Sequence, residues 1–287
     1  MALSVVQWVG GKGNQLDDLL PLIPYDHGYC EPFGGGASVL MNRSRSEVEV
    51  YNDLNLDVVA LFRCLQDPVL FITLANRLYR TPWAKDEFRR ALYMQQAGRM
   101  GDPAVSWIDR AWALVVIQNM GISGAHSKTE GNWSRSLADD KNTEKWQARL
   151  EKLEAVHMRF RNVQVDSQDA LACMNYWDAP TMVFYVDPPY VLDTRGNRIY
   201  YEFEMDETEH KQMVDVLLQL QGAVVLSGYD SPIYDPLIEA GWETTEYKAY
   251  GYAKIVAAAE GEVKPMRKER IWRNPRCLSR GVQLSLL

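Results

Sequence analysis

Cysteine and histidine are scarce in this chain, which has four of each in 287 residues. The nearest two cysteines, Cys30 and Cys64, are 34 residues apart, so the closely spaced pairs of zinc and redox sites are missing. We therefore expect no metal site, and we interpret the cysteines as thiols in a reducing compartment.

Long apolar runs are missing as well. The most apolar stretch, Ala111 to Ile117, is far too short to span a bilayer. Residues 1–13 lack the basic and apolar regions of a signal peptide. We therefore expect a soluble, cytoplasmic protein that has no membrane partner.

Positive charge is in deficit, since 31 Lys and Arg stand against 38 Asp and Glu and give a net charge of −7. The net charge of the whole chain argues against a nucleic-acid partner, but the distribution of charged residues along the chain does not. The segment Cys64–Arg161 has 15 basic and 11 acidic residues, a net charge of +4, which leaves −11 for the remainder. Contact with phosphate depends on where positive charge is concentrated, so this segment is a candidate for binding DNA.

Hydrophobic patterns near both ends of the chain predict an α/β fold, with a largely helical segment between them. Strands are predicted at Tyr29–Phe33, Val48–Tyr51, Val163–Val165, Thr181–Val186, Ala223–Ser227, Trp242–Tyr250 and, as a last edge strand, Lys268–Arg273. Helices are predicted at Ala37–Arg43, Leu54–Leu65, Ser106–Met120, Glu144–Arg161, His210–Leu220 with Gly222 as its C-terminal cap, and Ser231–Ala240. The simplest architecture is one α/β sheet interrupted by a helical insertion.

A glycine-rich turn follows the first predicted strand, at Glu31 to Ala37 (EPFGGGA). Glycines let a ligand approach the backbone, and the helix that follows begins with free N–H groups. Asp53 lies 22 residues after Glu31, just after the next strand, where an acid can bind ribose hydroxyls. These features fit any nucleoside cofactor, but the Glu31 carboxylate favours a cationic ligand over a phosphate.

The second motif, Asp187 to Tyr190 (DPPY), follows the continuous apolar strand. Ligand sites of open α/β sheets lie at such strand ends. The Asp187 carboxylate and the Pro188 carbonyl are two acceptors held close together, and they can orient the two N–H groups of an exocyclic amine. Tyr190 can stack on a planar base. The plainer alternative is a strand end followed by a proline turn.

A third motif, Trp8 to Lys12 (WVGGK), combines a glycine pair with a cation that can meet a ligand carboxylate. The three motifs and Asp53, in this order, resemble the Dam-type (D12 class, α group) DNA adenine-N6 methyltransferases. The resemblance spans nearly the whole chain. It implies a Rossmann-like S-adenosylmethionine-dependent methyltransferase sheet at residues 1–63 and 162–287, and a mainly helical target-recognition insertion at residues 64–161.

The resemblance also implies roles for individual residues. Those expected to bind the cofactor are Trp8, Lys12, Glu31, Phe33, Gly35, Asp53, Asp169, Ala170 and Asp187. Those expected to bind the flipped adenine and act in catalysis are Asp187, Pro188, Pro189 and Tyr190. Ala170 stands where the family has an aromatic residue, and Ala37 where many members have glycine. By its residue type alone, Asp169 could equally be a helix N-cap.

Residues 121–136 are polar and rich in Gly, Ser and Thr, which is typical of a loop or an irregular hairpin. Five side chains in it carry donors and acceptors suited to base edges: Ser123, His126, Lys128, Asn132 and Arg135. In the resembled family a hairpin at this position enters the DNA.

The sequence thus predicts methyl transfer from S-adenosylmethionine to adenine N6 in double-stranded DNA by base flipping, with S-adenosylhomocysteine as the product and no metal. We expect a monomer or weak dimer. Three alternatives stay open at this point. N4-cytosine methylation uses a similar loop, a dinucleotide-dependent oxidoreductase would also use the glycine loop and Asp53, and a catalytically silent protein would only bind DNA.

Overall fold

A computed structural model of the chain describes residues 2–8, 10–122, 132–134, 141–191, 203–248 and 268–280. Within these residues seven strands form one sheet. The strands are β1 (Gly28–Glu31), β2 (Val48–Asn52), β3 (Val163–Asp166), β4 (Met182–Val186), β5 (Ala223–Tyr229), β6 (Glu243–Lys248) and β7 (Lys268–Arg273).

Helices account for most of the remaining described residues. They are α1 (Leu16–Leu19), α2 (Ser38–Asn42), α3 (Leu56–Gln66), α4 (Pro68–Tyr79), α5 (Lys85–Arg99), α6 (Trp107–Met120), α7 (Asn142–Leu150), α8 (Leu153–Phe160), α9 (Ala170–Trp177), α10 (Glu207–Gln219), α11 (Asp235–Glu239) and α12 (Pro275–Leu278). Short 3₁₀ helices lie at Lys12–Asn14, Leu20–Leu22 and Pro232–Tyr234. In the described ranges no single helix is long and apolar enough to cross a membrane; only α3 and α4 counted together, bent by 110°, reach that length.

The sheet has the strand order β3-β2-β1-β4-β5-β7-β6. β4 runs parallel to β1 and to β5, and β7 runs antiparallel to β5 and to β6. After β1 the chain moves outward to β2 and β3 and then returns to β4, so β1 and β4 flank a topological switch point. Open α/β sheets bind ligands outside the carboxyl ends of the strands at this point. The predicted mixed α/β fold is confirmed.

The prediction that Lys268–Arg273 is an edge strand is wrong. This strand, β7, pairs with both β5 and β6, and β6 is the last strand of the order. Its central residues Ile271 and Trp272 are both fully buried although they point to opposite faces. The order of strands along the chain does not show which strands are neighbours in the sheet, so the last strand in sequence need not lie at the edge.

Two helix predictions also need correction. The segment Glu144–Arg161 forms two helices rather than one, with Glu151 and Lys152 as the caps between α7 and α8. Gly222 does not cap α10, which ends at Gln219 with Leu220 as its C-terminal cap. Instead, a Cβ at Gly222 would lie 2.8 Å from the carbonyl oxygen of Met182, so close strand packing requires the glycine.

The chain divides into two compact units. Unit 1 comprises residues 1–13, 34–42 and 51–167, and unit 2 comprises residues 14–33, 43–50 and 168–287. These units do not follow the predicted boundaries at residues 63 and 161. The functional division into a catalytic domain and a target-recognition domain stays a prediction.

The core of unit 1 is helical and rich in aromatic rings. Phe62 of α3 stacks on Phe160 of α8 with ring centroids 4.4 Å apart, and Tyr51 packs against Phe62 at 4.6 Å. α6 is buried from Ala111 to Gln118 and begins with a capping box formed by Ser106 and Asp109. α3 packs against both α6 and α8.

A buried carboxylate ties three helices of unit 1 together. Asp57 of α3 is 1% exposed and accepts hydrogen bonds from Arg99 of α5 at 3.1 Å and from Arg110 of α6 at 3.0 Å. A buried charge is tolerated only when it is paired, and here two guanidinium groups pair with one carboxylate.

The core of unit 2 surrounds β4 and β5. Every residue of β4 is buried, as expected of a parallel strand whose two faces are both covered. Side chains from α9, α10 and α11 join those of the strands in one apolar cluster that includes Met174, Leu217, Leu237 and Trp272. This packing fixes the carboxyl ends of β1, β4 and β5, where the polar motifs follow.

Candidate active site

The glycine loop after β1 is fixed by hydrogen bonds within unit 1. Gly34 N–H donates to the carbonyl of Asn52 at 2.8 Å, and Gly35 N–H donates to Oδ2 of Asp53 at 2.8 Å. The Tyr51 hydroxyl donates to the carbonyl of Gly35 at 2.7 Å. Both polar groups of Gly35 are therefore held by residues at the end of β2.

Each glycine of this loop is required by a close approach. A Cβ at Gly34 would lie 2.2 Å from the ring of Tyr51, and one at Gly36 would lie 2.8 Å from Cβ of Trp8. Gly35 has a φ of +46°, and a Cβ there would lie 2.5 Å from Nε1 of Trp8. The predicted cofactor residues Trp8, Gly35 and Asp53 thus come together around one loop.

Ala37 closes the loop in a left-handed conformation. Its φ is +52°, its side chain is fully buried, and its N–H donates to the carbonyl of Gly34 at 2.8 Å. A left-handed residue that carries a Cβ costs about 1–2 kcal/mol. Residues held in this way cluster at ligand sites, where the surrounding contacts over-determine the backbone.

Asp53 links the loop to the start of α3. Its Oδ2 accepts from Gly35, and its Oδ1 accepts from the N–H of Asn55 at 2.8 Å. Asn55 in turn caps α3 by accepting from the N–H of Asp57 at 2.9 Å. A carboxylate has about four lone-pair positions, so Asp53 can accept further hydrogen bonds from ribose hydroxyls while it holds the loop.

Lys12 follows a tight turn near the N-terminus. Gly11 N–H donates to the carbonyl of Trp8 at 3.1 Å, and Gly10 adopts a φ of +73°. The Lys12 side chain is 2% exposed, and its Nζ donates to the carbonyl of Gly10 at 3.1 Å. The turn therefore holds a buried cation, the group that the sequence assigned to a ligand carboxylate.

Two further predicted residues lie in unit 2, where β1 ends. Glu31 is 2% exposed, and its Oε1 accepts a hydrogen bond from the Tyr29 hydroxyl at 2.7 Å. Phe33 is partly buried against the apolar cluster of unit 2. The structure thus holds a buried carboxylate and an aromatic ring at the first strand end.

Asp187 to Tyr190 begin where β4 ends. Because Cys30 of β1 pairs with Phe184 of β4 in parallel, the carboxyl ends of both strands lie at the same edge of the sheet. Glu31, the last residue of β1, and Asp187, the first residue after β4, therefore lie at that edge. Asp187 is half-buried and Pro188 is buried, so the acceptors of this motif belong to a fixed strand end rather than to a free loop.

Tyr190 is held by two residues of β5 that the sequence did not single out. Its side chain is 8% exposed, and its hydroxyl lies 3.1 Å from Oγ of Ser227. The ring of Tyr229 meets the Tyr190 ring edge-on, with centroids 4.7 Å apart and planes at 72°. The sequence indicated these two residues only through their position near the end of β5. That strand is the parallel neighbour of β4, so the carboxyl ends of both strands lie at the same edge of the sheet.

Asp169 caps α9. Its Oδ1 accepts from the N–H groups of Leu171 and Ala172, both at 3.0 Å, while Asp169 itself is exposed and Ala170 is buried. The helix-cap alternative therefore describes one role of Asp169. Its predicted contact with the cofactor adenine stays a prediction.

Of the five residues predicted to contact bases, only Asn132 lies in the described part of the chain; Ser123, His126, Lys128 and Arg135 lie outside it. The segments on either side of residues 123–131 pair in antiparallel fashion. Ile122 N–H donates to the carbonyl of Asn132 at 2.8 Å, and Ser134 N–H donates to the carbonyl of Met120 at 2.7 Å. The C-terminal end of α6 thus meets residues 132–134.

A basic groove lies on unit 1 between the end of α4 and the start of α5, with a volume of about 390 Å³. Three arginines and one acid line it: Arg77, Arg80, Arg90 and Glu87, the last of which lies 3.9 Å from Arg90. Arg77 pairs with Asp109 at 2.7 Å and lies over the ring of Trp112, 4.2 Å from its centroid. Among the described residues no group of three or more His, Cys, Asp or Glu side chains could hold a metal ion.

A family model of the D12 class N6 adenine-specific DNA methyltransferases matches residues 8–248. The chain belongs to this family. The matched range includes every motif residue described above, from Trp8 to Tyr190, and it confirms the resemblance drawn from the sequence.

Similar proteins were also found by sequence and by structure. A DNA N-6-adenine-methyltransferase of Escherichia phage P1 is 33% identical over 78 residues, which are 27% of this chain and 10% of that protein's length. Two structures of the rRNA methyltransferase aviRa from Streptomyces viridochromogenes are 12% and 13% identical, each with a TM-score of 0.36. They cover 92% of this chain and 83% and 84% of theirs, and a likeness this distant adds nothing to the assignment.

Proposed function

We propose that this protein transfers a methyl group from S-adenosylmethionine to N6 of adenine in duplex DNA. Membership of the D12 class family supports this reaction. The observation that carries the proposal is the position of Asp187 to Tyr190 directly after β4, at the same sheet edge as Glu31, the last residue of β1. N4-cytosine methylation would use a similar loop, and what favours adenine N6 over it, and over a dinucleotide-dependent oxidoreductase, is the family match.

The residues present suit S-adenosylmethionine, which supplies a methyl group on a positively charged sulfur. The backbone of the glycine loop is held against Tyr51 and Trp8, since a Cβ at any of its three glycines would meet an atom of one of these side chains at 2.8 Å or less. Glu31 offers a buried carboxylate for the methionyl ammonium, and Lys12 offers a cation for the methionyl carboxylate. Asp53 accepts from the ribose hydroxyls while it keeps its hold on Gly35. Trp8, Phe33, Asp169 and Ala170 are proposed as further cofactor contacts.

Asp187 and Pro188 hold the amino group of the target base. The target adenine has to leave the helical stack before its N6 can be aligned, as in other enzymes that act on a base. The Asp187 carboxylate and the Pro188 carbonyl each accept one N–H of that amine, which directs its nitrogen lone pair toward the methyl group. Partial positive charge develops on this nitrogen in the transition state, and the two fixed acceptors stabilise it.

Tyr190 provides the aromatic surface for the extruded base. Its hydroxyl contact with Ser227 and its ring contact with Tyr229 limit the rotation of its ring. A ring that is already fixed loses little further entropy when a base binds, which favours a productive geometry. We therefore count Ser227 and Tyr229 as residues that position Tyr190.

The segment Cys64–Arg161 is proposed as the DNA-binding part. Its net charge of +4 and the arginines of the basic groove favour contact with phosphate. Base edges would be read by Ser123, His126, Lys128, Asn132 and Arg135, and the antiparallel pairing of residues 120–122 with 132–134 supports a hairpin there. We further propose that the protein acts without a metal, in the cytoplasm, as a monomer or weak dimer.

The experiment compares two aspartate variants of unit 2. Asp187→Ala removes one of the two acceptors, so methylation of duplex DNA should fall at least about a hundredfold while the melting temperature stays near that of the unsubstituted protein. Asp215→Ala changes an exposed aspartate of α10 and should retain full activity. Incorporation of a labelled methyl group into N6-methyladenine is the measurement, and equal activity of the two variants would refute the assignment.

A further inference from the structure

A buried polar chain lies behind Glu31 in unit 2. The Tyr29 hydroxyl donates to Oε1 of Glu31 at 2.7 Å, and both side chains are almost fully buried. The guanidinium carbon of Arg43 lies over the face of the Tyr29 ring, 3.8 Å from its centroid. Arg43 and Glu31 therefore contact the same tyrosine, one at the face of its ring and one at its hydroxyl.

The Arg43 side chain is itself held in place. It is fully buried, and its Nη1 lies 3.4 Å from Oε1 of Glu49 and donates to Oγ of Ser46 at 3.1 Å. Ser46 N–H donates to the same Glu49 oxygen at 3.2 Å. The segment after α2 thus keeps a guanidinium group at the face of the Tyr29 ring. A cation is attracted to the negative face of an aromatic ring, and its positive charge makes the Tyr29 hydroxyl a stronger donor.

Tyr29 keeps its proton in this setting. Burial, followed by the negative charge of Glu31, raises the pKa of Tyr29 well above its usual value, against a smaller lowering effect of Arg43. The hydroxyl is therefore the donor and Glu31 the acceptor. A hydrogen bond to an ionised carboxylate is roughly twice as strong as one between neutral groups, so this contact fixes the orientation of the Glu31 side chain.

We propose that Tyr29, supported by Arg43, is a positioning residue that holds the Glu31 carboxylate for the ammonium group of a methionyl ligand. This inference rests on the proposed function, because that function supplies the ligand. It adds a residue to the site that no motif contains, since Tyr29 lies inside β1 and reads in the sequence as an ordinary core aromatic. Its effect is confined to the amino-acid part of the ligand.

Two ligands separate this effect from a general loss of structure. S-adenosylhomocysteine carries the methionyl-type ammonium, whereas 5′-methylthioadenosine shares its adenine, ribose and thioether but lacks the amino-acid part. Tyr29→Phe should weaken the binding of S-adenosylhomocysteine about tenfold, as expected for a lost hydrogen bond to a charged group, and leave the binding of 5′-methylthioadenosine unchanged. Calorimetry or competition binding measures both dissociation constants.

The matched control is Tyr234→Phe. Tyr234 is a second fully buried tyrosine of unit 2, and its hydroxyl lies 3.1 Å from Nδ1 of His210. This variant also removes one buried hydroxyl, so it should change stability but not the affinity for either ligand. An equal loss for both ligands in Tyr29→Phe, or the same selective loss in Tyr234→Phe, would overturn the proposal.

A double-mutant cycle with Glu31→Gln tests whether Tyr29 acts through Glu31. Once the carboxylate is gone, Tyr29→Phe should cost no further affinity for S-adenosylhomocysteine. Full additivity of the two losses contradicts the proposal. If Tyr29→Phe does not fold, Arg43→Lys takes its place in the cycle, with the same two outcomes.

The outcomes also distinguish this inference from the proposed function. If the unsubstituted protein binds neither ligand and forms no N6-methyladenine, the proposed function fails, and this inference fails with it. If the unsubstituted protein binds S-adenosylhomocysteine and methylates adenine, but Tyr29→Phe keeps the same ratio of the two dissociation constants, only the role of Tyr29 is refuted.

Discussion

At the scale of single residues, the glycine loop is the most constrained part of the candidate site. Gly35 combines a φ of +46°, a peptide held on both sides by Asp53 and Tyr51, and a Trp8 ring where a side chain would lie. Any L-residue there must distort the backbone or displace Trp8. The constraint on the backbone at Gly35 is therefore local, and replacing Gly35 by alanine, which adds one methyl group, tests it.

Gly35→Ala should lower the free energy of unfolding by about 2 kcal/mol, through the cost of the left-handed backbone and the contact with Trp8. The affinity for S-adenosylhomocysteine should fall as well, because the loop and Asp53 shift together. Chemical denaturation and calorimetry measure the two effects.

Gly13→Ala is the control for this prediction. A Cβ at Gly13 meets no atom within 4 Å and Gly13 is exposed. Its unfolding free energy should change by less than about 0.5 kcal/mol, as for other surface substitutions. Equal destabilisation by the two alanines would mean that the loop is not constrained as described.

At the level of single residues, the sequence indicated the charged residues and glycines of the candidate site. It did not indicate the residues that hold motif side chains in place. Asp53 and Asp187 could be predicted because each follows a strand, and Glu31 because it opens the glycine-rich motif at the end of the first strand. Tyr29, Ser227 and Tyr229 lie within strands and resemble core residues in the sequence. Their hydrogen bonds depend on which strands are neighbours, and that is known only from the fold.

At the scale of helices and strands, continuous apolar segments were predicted most accurately. β4 begins one residue later than predicted, and β5 continues two residues further. The errors lie where the local hydrophobic pattern does not determine the structure. Examples are the break between α7 and α8 and the position of β7 inside the sheet. Although the Glu144–Arg161 segment is divided into two helices, its apolar residues Trp146, Leu150, Leu153 and Val156 are all buried.

The Asp57 ion pairs connect elements that are far apart in the chain. Asp57→Ala should lower the free energy of unfolding by about 3 kcal/mol, because Arg99 and Arg110 lose the buried carboxylate that joins α3 to α5 and α6. Urea denaturation measures the change.

The matched variant is Asp86→Ala in α5, which breaks an exposed pair with Arg89 at 3.1 Å. Exposed pairs contribute little, so the expected loss is below about 1 kcal/mol. Comparable losses of unfolding free energy in the two variants would show that the buried Asp57 pairs stabilise the fold no more than an exposed pair does.

At the scale of the whole molecule, the net charge of −7 conceals two parts of opposite charge. The segment Cys64–Arg161 carries +4 and the remainder −11. If that segment binds the DNA backbone, affinity should fall steeply as salt concentration rises, because each phosphate contact releases counterions. The average charge of a chain is therefore a poor guide to its partners.

Arg80→Ala in the basic groove should weaken DNA binding at every sequence and reduce the slope of log affinity against log salt by about one. Lys211→Ala changes an exposed lysine of α10 in unit 2, and it should leave the slope unchanged. Fluorescence anisotropy over a salt series measures both slopes, and identical slopes for the two variants would remove the groove from the DNA-binding surface.

The central claim is the chemical identity of the product. Duplex DNA is incubated with the protein and S-adenosylmethionine carrying an isotopically labelled methyl group, and the digested nucleosides are separated by mass spectrometry. The account predicts label in N6-methyladenine and none in N4-methylcytosine. Label in N4-methylcytosine, or no transfer by a folded protein that binds S-adenosylhomocysteine, would contradict it.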